Sequence, residues 1–407
     1  MGDSSGGVTD LEGLFGPDLL REGLRGKLRE LLSELLEAEV DSTLAVARYA
    51  RSEGRAGYRN GTKPRTINTA LGATEIDVPR ARMFSVNGAT TEWQSQIVPK
   101  YERRTPSLDE TLVGMYLSGT NLRRVKLALK PLLKGTPLDK NVISRLVGRL
   151  KTYLDDWRER SLAGKTYLYL YLDGTNFRVK LLSKVRKLPV LVVMGVRQDG
   201  QKEVLAMAPL LKESETMWSE VLGDLKARGL NRPTLVMLDG HGGLRNAVEA
   251  AWPGVSVQRC TVHKLRNIQQ HSPKDVYPQI KTDYDAIINA ESLEAAKKAR
   301  ANFLARWKGL ASVIRSLEEA GEELLTFYSF PKEQWKSIKT TNPIERINLE
   351  FKRRVKTQCS LPSESALMLL LFGLLLSKQL RFRKIDGWEK LVDVAVQHGN
   401  SLAKVAG

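Results

Sequence analysis

Residues 165–180 read Lys-Thr-Tyr-Leu-Tyr-Leu-Tyr-Leu-Asp-Gly-Thr-Asn-Phe-Arg-Val-Lys. Tyr and Leu alternate from Tyr167 to Leu172, and a period of two specifies a strand rather than a helix. Leu168, Leu170 and Leu172 are expected on one face and Tyr167, Tyr169 and Tyr171 on the other, with Asp173 following in the tyrosine register. Gly174 predicts a sharp turn, which would set Asp173 at the strand end. The same ending recurs at Thr234-Leu-Val-Met-Leu-Asp239-Gly240. Two such strands side by side would bring both carboxylates to one edge of an open sheet, where such sheets present their chemistry.

The elements between the two runs support that pairing. Phe177 to Leu182, Pro189 to Arg197 and Glu203 to Ala208 read as strands, with Asp199-Gly200 as a hairpin turn. Ser214 to Arg228 and Leu244 to Ala251 read as helices, and Val255 to Cys260 as a last strand. The predicted fold is an α/β core with a mixed sheet whose first and fourth strands are central neighbours. Lys264 to Trp335 is helical in pattern and reads as an insertion.

The 407 residues, 42% of them hydrophobic, exclude a single small domain. The formal charge of +18 favours a polyanionic partner, nucleic acid first. A peripheral membrane protein would concentrate that charge on one helix or tail, whereas here it is spread along the chain. Two cysteines, Cys260 and Cys359, give no disulfide framework and point to a reducing compartment. No secretory signal is visible at the start, and Ala366 to Leu376 falls short of the roughly 20 apolar residues of a spanning helix. It reads as a buried helix in a protein without a membrane association.

The N-terminal part is predicted to be mainly helical. From Asp18 to Val40, Leu24, Leu28, Leu31, Leu35 and Ala38 recur at four- and three-residue steps, a short seam that serves either the chain's own core or pairing with a second copy. Arg51 to Arg82 is basic and Gly-rich, and its Arg59 and Arg65 are candidates for tracking phosphates. Thr74 to Arg80 reads as a strand that Pro79 makes an edge strand or ends. Three helices follow, Asp109 to Leu117, Asn121 to Leu133 and Lys140 to Trp157. The turn at Ser118-Gly119-Thr120, with Arg123, Arg124 and Lys126 just after it, fits a helix-turn-helix entering a DNA groove.

At Lys339-Thr-Thr-Asn-Pro-Ile-Glu-Arg-Ile-Asn-Leu-Glu-Phe-Lys-Arg-Arg-Val-Lys356, Asn342 is a natural N-cap and Pro343 suits the first helical position. Glu345 then falls where a capping-box acid belongs. Two strand-end aspartates and a helical acid can also hold two divalent ions about 3.5–4 Å apart for phosphoryl transfer, and Mg²⁺ suits an all-oxygen set.

The run Asp239-Gly-His-Gly-Gly243-Leu, then Ala251-Trp252-Pro253, Val255, Gln258 and Cys260-Thr-Val-His263, resembles the signature of the Mutator-type bacterial insertion-sequence transposases. That family is an Asp-Asp-Glu group with a ribonuclease H-like catalytic domain. The resemblance runs from about Gly57 to Lys356. It implies that Asp173, Asp239 and Glu345 are the catalytic metal-binding acids, 66 and 106 residues apart, with Asn342 in the Thr-Thr-Asn helix start supporting them. It further implies two Mg²⁺ ions, replaceable by Mn²⁺, and strand cleavage at element ends followed by transfer of the freed 3′-hydroxyl. The implied partners are double-stranded DNA, both terminal inverted repeats and target, and further copies of the chain as a homodimer or larger. The implied setting is the bacterial cytoplasm at the nucleoid.

Arg178 and Lys180 beside Asp173, and Arg346, Lys352, Arg353 and Arg354 on the Glu345 helix, are candidate phosphate contacts. Cys260 and His263 form half of a tetrahedral zinc set with no second half. They read better as a packed thiol and a hydrogen-bonding imidazole near the metal site. The expected organisation is 1–50 helical, 51–105 a basic arm, 106–160 helical and DNA-binding, 161–263 and 336–385 the catalytic core, 264–335 the insertion, and 386–407 a tail. Two rival readings remain: a DNA-binding regulator without catalysis, and a haloacid dehalogenase-like phosphatase suggested by Asp173-Gly174-Thr175. In the latter the nucleophile's place is held by Tyr171, which cannot form an aspartyl-phosphate.

Overall fold

The computed structural model describes residues 18–50, 52–85, 88–117, 140–181, 184–210, 215–356, 361, 363–377 and 380–397. Two units divide within helix α3 (Lys140–Glu159), at Gly148 and Arg149. Arg123, Arg124, Lys126 and the proposed turn before them lie outside the described residues.

In the first unit, helix α1 (Leu19–Leu44) starts where the Asp18 carboxylate accepts from the Arg21 amide at 2.9 Å, an N-cap. Strands β1 (Gly57–Thr69), β2 (Gly72–Phe84) and β3 (Thr90–Glu92) form an antiparallel sheet in that order, followed by α2 (Pro106–Leu117). Leu36 packs on Ile67, Ile76, Val78 and Val98, and Val40 and Leu44 on Ala81. The predicted seam is not what packs, since Leu24, Leu31 and Leu35 are exposed. The sheet covers the face of the helix that carries Leu36, Val40 and Leu44, and Arg21 and Arg25 reach the Leu71 and Ala73 carbonyls from the helix start. Pro79 does not mark an edge: β2 is the central strand, and Pro79 pairs with Thr62 at a register shift in β1, where the missing N–H is tolerated.

The second unit holds a five-stranded mixed sheet. Strands β4 (Tyr167–Leu181), β5 (Lys184–Arg197) and β6 (Lys202–Pro209) are antiparallel neighbours, and β7 (Leu235–Leu238) and β8 (Ser256–Arg259) join parallel on the other side, giving the order β6-β5-β4-β7-β8. The predicted neighbours β4 and β7 do lie side by side. Asp173, however, is not at a strand end. Gly174 pairs with Leu191 and the strand runs on to Leu181, because Thr175, Phe177 and Val179 continue the buried alternation. The tyrosines do not share one face either. A bulge between Tyr167 and Tyr169 sends Tyr167 into the Leu170 and Leu172 cluster, and Gly195 leaves room for its ring, since a Cβ there would lie 2.5 Å from it.

Helices α4 (Glu215–Ala227) and α5 (Gly242–Ala251) cover that face with Trp218, Leu222, Leu225, Leu244 and Val248. Against the other face, the Tyr169 hydroxyl bonds Gln334 Oε1 at 2.5 Å and the Tyr171 hydroxyl donates to the Ser337 carbonyl at 2.9 Å. These partners end a block of helices, α6 (Thr261–His271), α7 (Tyr277–Ile288), α8 (Leu293–Arg306) and α9 (Ala311–Glu318), then short 3₁₀ turns and α10 (Trp335–Ile338). Helices α11 (Asn342–Lys356), α12 (Glu364–Leu376) and α13 (Leu391–Gln397) complete the described chain. Leu367 to Leu374 are buried, and no described helix is long and apolar enough to cross a membrane.

Candidate active site

The parallel pairing of β4 with β7 ends at Tyr171 opposite Met237. Asp173 and Asp239 each follow two residues on, in the side-chain register of Tyr171 and Met237, and the Asp239 charge acts on Asp173. β7 pairs in turn with β8, Leu238 opposite Arg259, so Cys260 follows at the same edge, and its amide donates to the Leu238 carbonyl at 2.8 Å. Past Asp239 the chain turns at Gly240 with φ of +103°, over the Arg259 guanidinium, which a Cβ would strike. The His241 amide donates to Asp239 Oδ1 at 3.1 Å and holds that carboxylate at the turn.

Helix α11 closes the edge. The Thr341 carbonyl accepts from the Ile344 and Glu345 amides at 3.0 and 2.9 Å, so Thr341 rather than Asn342 occupies the capping place. Its hydroxyl is spent on Cys260 Sγ at 3.3 Å, with His263 Nδ1 at 3.5 Å. The helix thus starts one residue earlier than predicted, and Glu345 is not a capping-box acid. Its carboxylate meets His263 Nε2 at 3.4 Å and accepts from Arg266 at 3.2 Å. One turn further, Asn348 Nδ2 donates to Asp173 Oδ2 at 2.7 Å. Asn348 and Arg266 were not anticipated. Asn348 stands three positions after Glu345, and Arg266 three after His263, so helical spacing alone puts each beside a candidate already chosen.

Electrostatics tie these groups together. Burial pushes Asp173 up to about 6, the charges of Asp239 and Glu345 add to it, and His263 and the Asn348 bond act against it. Hydrogen bonding with Cys260 is the main cause that raises His263 to about 9, against burial and with help from Asp173 and Glu345. Burial works against ionising the Cys260 thiol, yet its bonds with His263 and Thr341 outweigh that and hold it below the ordinary thiol range.

Among the described residues no three His, Cys, Asp or Glu side chains converge closely enough to hold a metal ion. The donor chemistry nevertheless fits a hard divalent cation. The Asp239 and Glu345 charges both bear on buried Asp173, and two buried oxygens beside it, Thr175 Oγ1 and Asn348 Oδ1, have no partner among the described residues.

The predicted basic contacts separate. Arg178 and Lys180 are exposed, but on the face of β4 opposite Asp173. On α11, Lys352 is exposed two turns along the Glu345 face, Arg346 is exposed to one side, and Arg353 pairs with Glu350 at 2.6 Å, while Arg354 is half-buried. Arg59 is engaged by Glu37 and Asp41, and Arg65 donates to the carbonyls of Val98, Pro99 and Glu102.

A profile of the family described as "Transposase, Mutator family" matches residues 11–384, and the chain belongs to that family. The transposase for insertion sequence element ISRM5 of Rhizobium meliloti (strain 1021) is 34% identical over 355 residues, 86% of each chain. The transposase for insertion sequence element IS905 of Lactococcus lactis subsp. lactis (strain IL1403) is 32% identical over 348 residues, 85% of this chain and 86% of that one. A chain of the Drosophila P element transposase strand transfer complex aligns over 72% of this chain and 85% of its own at 13% identity, with a TM-score of 0.29.

Proposed function

We propose that the chain is a DNA transposase whose reaction is carried by Asp173, Asp239 and Glu345. The observation that carries this is the parallel pairing of β4 with β7, which ends at Tyr171 opposite Met237 two residues before Asp173 and Asp239, together with the charges of Asp239 and Glu345 acting on buried Asp173. Three antiparallel strands followed by two parallel ones, in the order third-second-first-fourth-fifth, support reading the second unit as ribonuclease H-like. In that reading 264–335 is an insertion that delivers Glu345, and residues 1–160 hold the DNA ends.

The three acids would hold two Mg²⁺ ions, or Mn²⁺, which when bound neutralise charge on the phosphate and ease ionisation of the attacking hydroxyl. The chain's own groups prepare that set. Asn348 orients Asp173, the His241 amide orients Asp239, and His263 and Arg266 hold the Glu345 carboxylate from the α6 side. His263, protonated near neutral pH, offsets part of the negative charge. Lys352 and Arg346 are placed to meet the strand being cut. Water is the first nucleophile and the freed 3′-hydroxyl the second, with no covalent link to the protein. Working on two ends of an element calls for a dimer or larger assembly on DNA.

The test is nicking and strand transfer on element-end DNA with Mg²⁺, using Asp173→Asn, Asp239→Asn and Glu345→Gln. Each variant is expected to bind DNA and to lose cleavage; full activity in any one removes that residue from the set. Wild-type protein that shifts end DNA yet never cuts it, with Mg²⁺ or Mn²⁺, would favour the regulator reading. The phosphatase reading loses further ground because Tyr171 is fully buried with its hydroxyl on a backbone carbonyl.

A further inference from the structure

Between the small sheet of the first unit and the segment that follows β3 lies a cavity of about 890 Å³. β1 and β2 supply Lys63, Arg65 and Arg80 to its wall, and the facing segment supplies Trp93, Lys100 and Arg103. A second hollow of about 290 Å³ shares Arg80 and Glu92 with it and adds Arg82 and Asn60, so the basic lining continues along the sheet.

The charge in this cleft is not balanced from within. Glu92 is the one acid lining it, and it is already taken by Lys100 at 2.8 Å and Arg80 at 3.8 Å. Among the described residues neither Lys63 nor Arg103 is paired with a carboxylate, and both are exposed. Arg65 is held below its ordinary range, first by burial and then by the Arg103 charge, so two guanidiniums stand near enough to repel. Arg65 itself is the strut that ties β1 to the facing segment through three carbonyls. Such a site gains most from a chain of regularly spaced anions, while Trp93 anchors the facing segment by packing on the Val40, Leu44 and Ala81 cluster.

We infer that this cleft binds the phosphodiester backbone of DNA, with Lys63, Arg80 and Arg103 as the phosphate contacts and Arg65 as their support. This rests on the transposase reading and narrows the contact that sequence offered across Arg51 to Arg82 to one cleft, adding Arg103 from the facing segment. It is independent of the acids in the second unit.

The test is fluorescence anisotropy with element-end duplex and a shuffled duplex, in EDTA, over a series of salt concentrations. Lys63→Ala/Arg103→Ala is expected to bind both duplexes on the order of 10–100-fold more weakly, with a salt slope smaller by about 2. Lys63→Arg/Arg103→Lys should bind as wild type. Unchanged affinity and slope in the alanine variant would overturn the inference while leaving the transposase reading intact. Polyglutamate competing as well as DNA would also overturn it, in favour of an acidic protein partner. Wild-type protein that binds no DNA at all would overturn both.

Discussion

Asn348 donates to Asp173 across 175 residues of sequence, at 2.7 Å, and so joins the closing helix to the central strand at the one buried carboxylate of the site. Asn348→Ala is expected to lower strand cleavage roughly 10–100-fold, the usual effect of removing a partner that orients a ligand. DNA affinity in EDTA should not change. Because the bond favours the charged form of Asp173, the acid limb of the cleavage profile should also move to higher pH. An unmoved limb would leave Asn348 a purely structural residue.

Asp173 contributes a pH-dependent penalty to the fold. Its folded value of about 6 lies above the ordinary 3.8, so between these the folded chain binds more protons than the unfolded one. Stability therefore falls as pH rises from about 4 to about 6, and the full penalty stands above that. Asp173→Asn removes it. In EDTA the variant should melt higher than wild type at pH 7.5, by up to ~3 kcal/mol, and equal to it at pH 4; equal melting at both pH values would mean that the carboxylate is not penalised.

A divalent cation should cancel the same repulsion. Mg²⁺ or Mn²⁺ is expected to raise the melting temperature of wild type in a concentration-dependent way, by the free energy of binding to the folded state alone. Asp173→Asn and Glu345→Gln should show little of this rise. The readout needs no substrate, and an identical rise in the variants would place the cation elsewhere.

The titration of His263 depends first on Cys260. Cys260→Ser is expected to bring the His263 midpoint down from near 9 towards the ordinary 6.5, followed by NMR of the imidazole carbons. With four histidines in the chain, assignment by substitution is practical. A midpoint that stays near 9 would give the leading role to Asp173 and Glu345 instead.

Tyr171→Phe tests the far side of the sheet. It leaves the half-buried Ser337 carbonyl without its donor, at a cost of about 0.5–1.5 kcal/mol. Chemical denaturation should show a lower midpoint with an unchanged slope.

Much of the central sheet was legible because each part of it is local. Two Leu-Asp-Gly endings on apolar runs marked Asp173 and Asp239, and the order of hairpin, helix, strand, helix and strand set those runs side by side. Gly174 misled because a glycine reads as a turn, although Thr175, Phe177 and Val179 already carried the alternation onward. The bulge at Tyr167 left no mark, since its cause is the space at Gly195 on another strand. In α1 the leucines at seam spacing are no more apolar than Leu36, Val40 and Leu44, and only the face that the sheet covers decides which row is buried. Arg59 and Arg65 looked like free charge because sequence does not show a guanidinium already satisfied by Glu37, Asp41 or backbone carbonyls. Asn348 is an ordinary polar residue until α11 lies across β4.

The tyrosine bond that reaches from β4 to Ser337 spans 166 positions, and the Asn348 bond more. Synthesis runs from the N-terminus, so both aspartates leave the ribosome more than a hundred residues before Glu345, and closing loops of that length is slow. A chain interrupted before Thr340, or one whose sheet has formed without its last helices, holds two of the three proposed acids and no means of completing the set. Under that assignment the capacity to cut DNA is withheld until α11 has been made and has docked on the sheet, which spares the cell from nuclease activity in copies broken off before it.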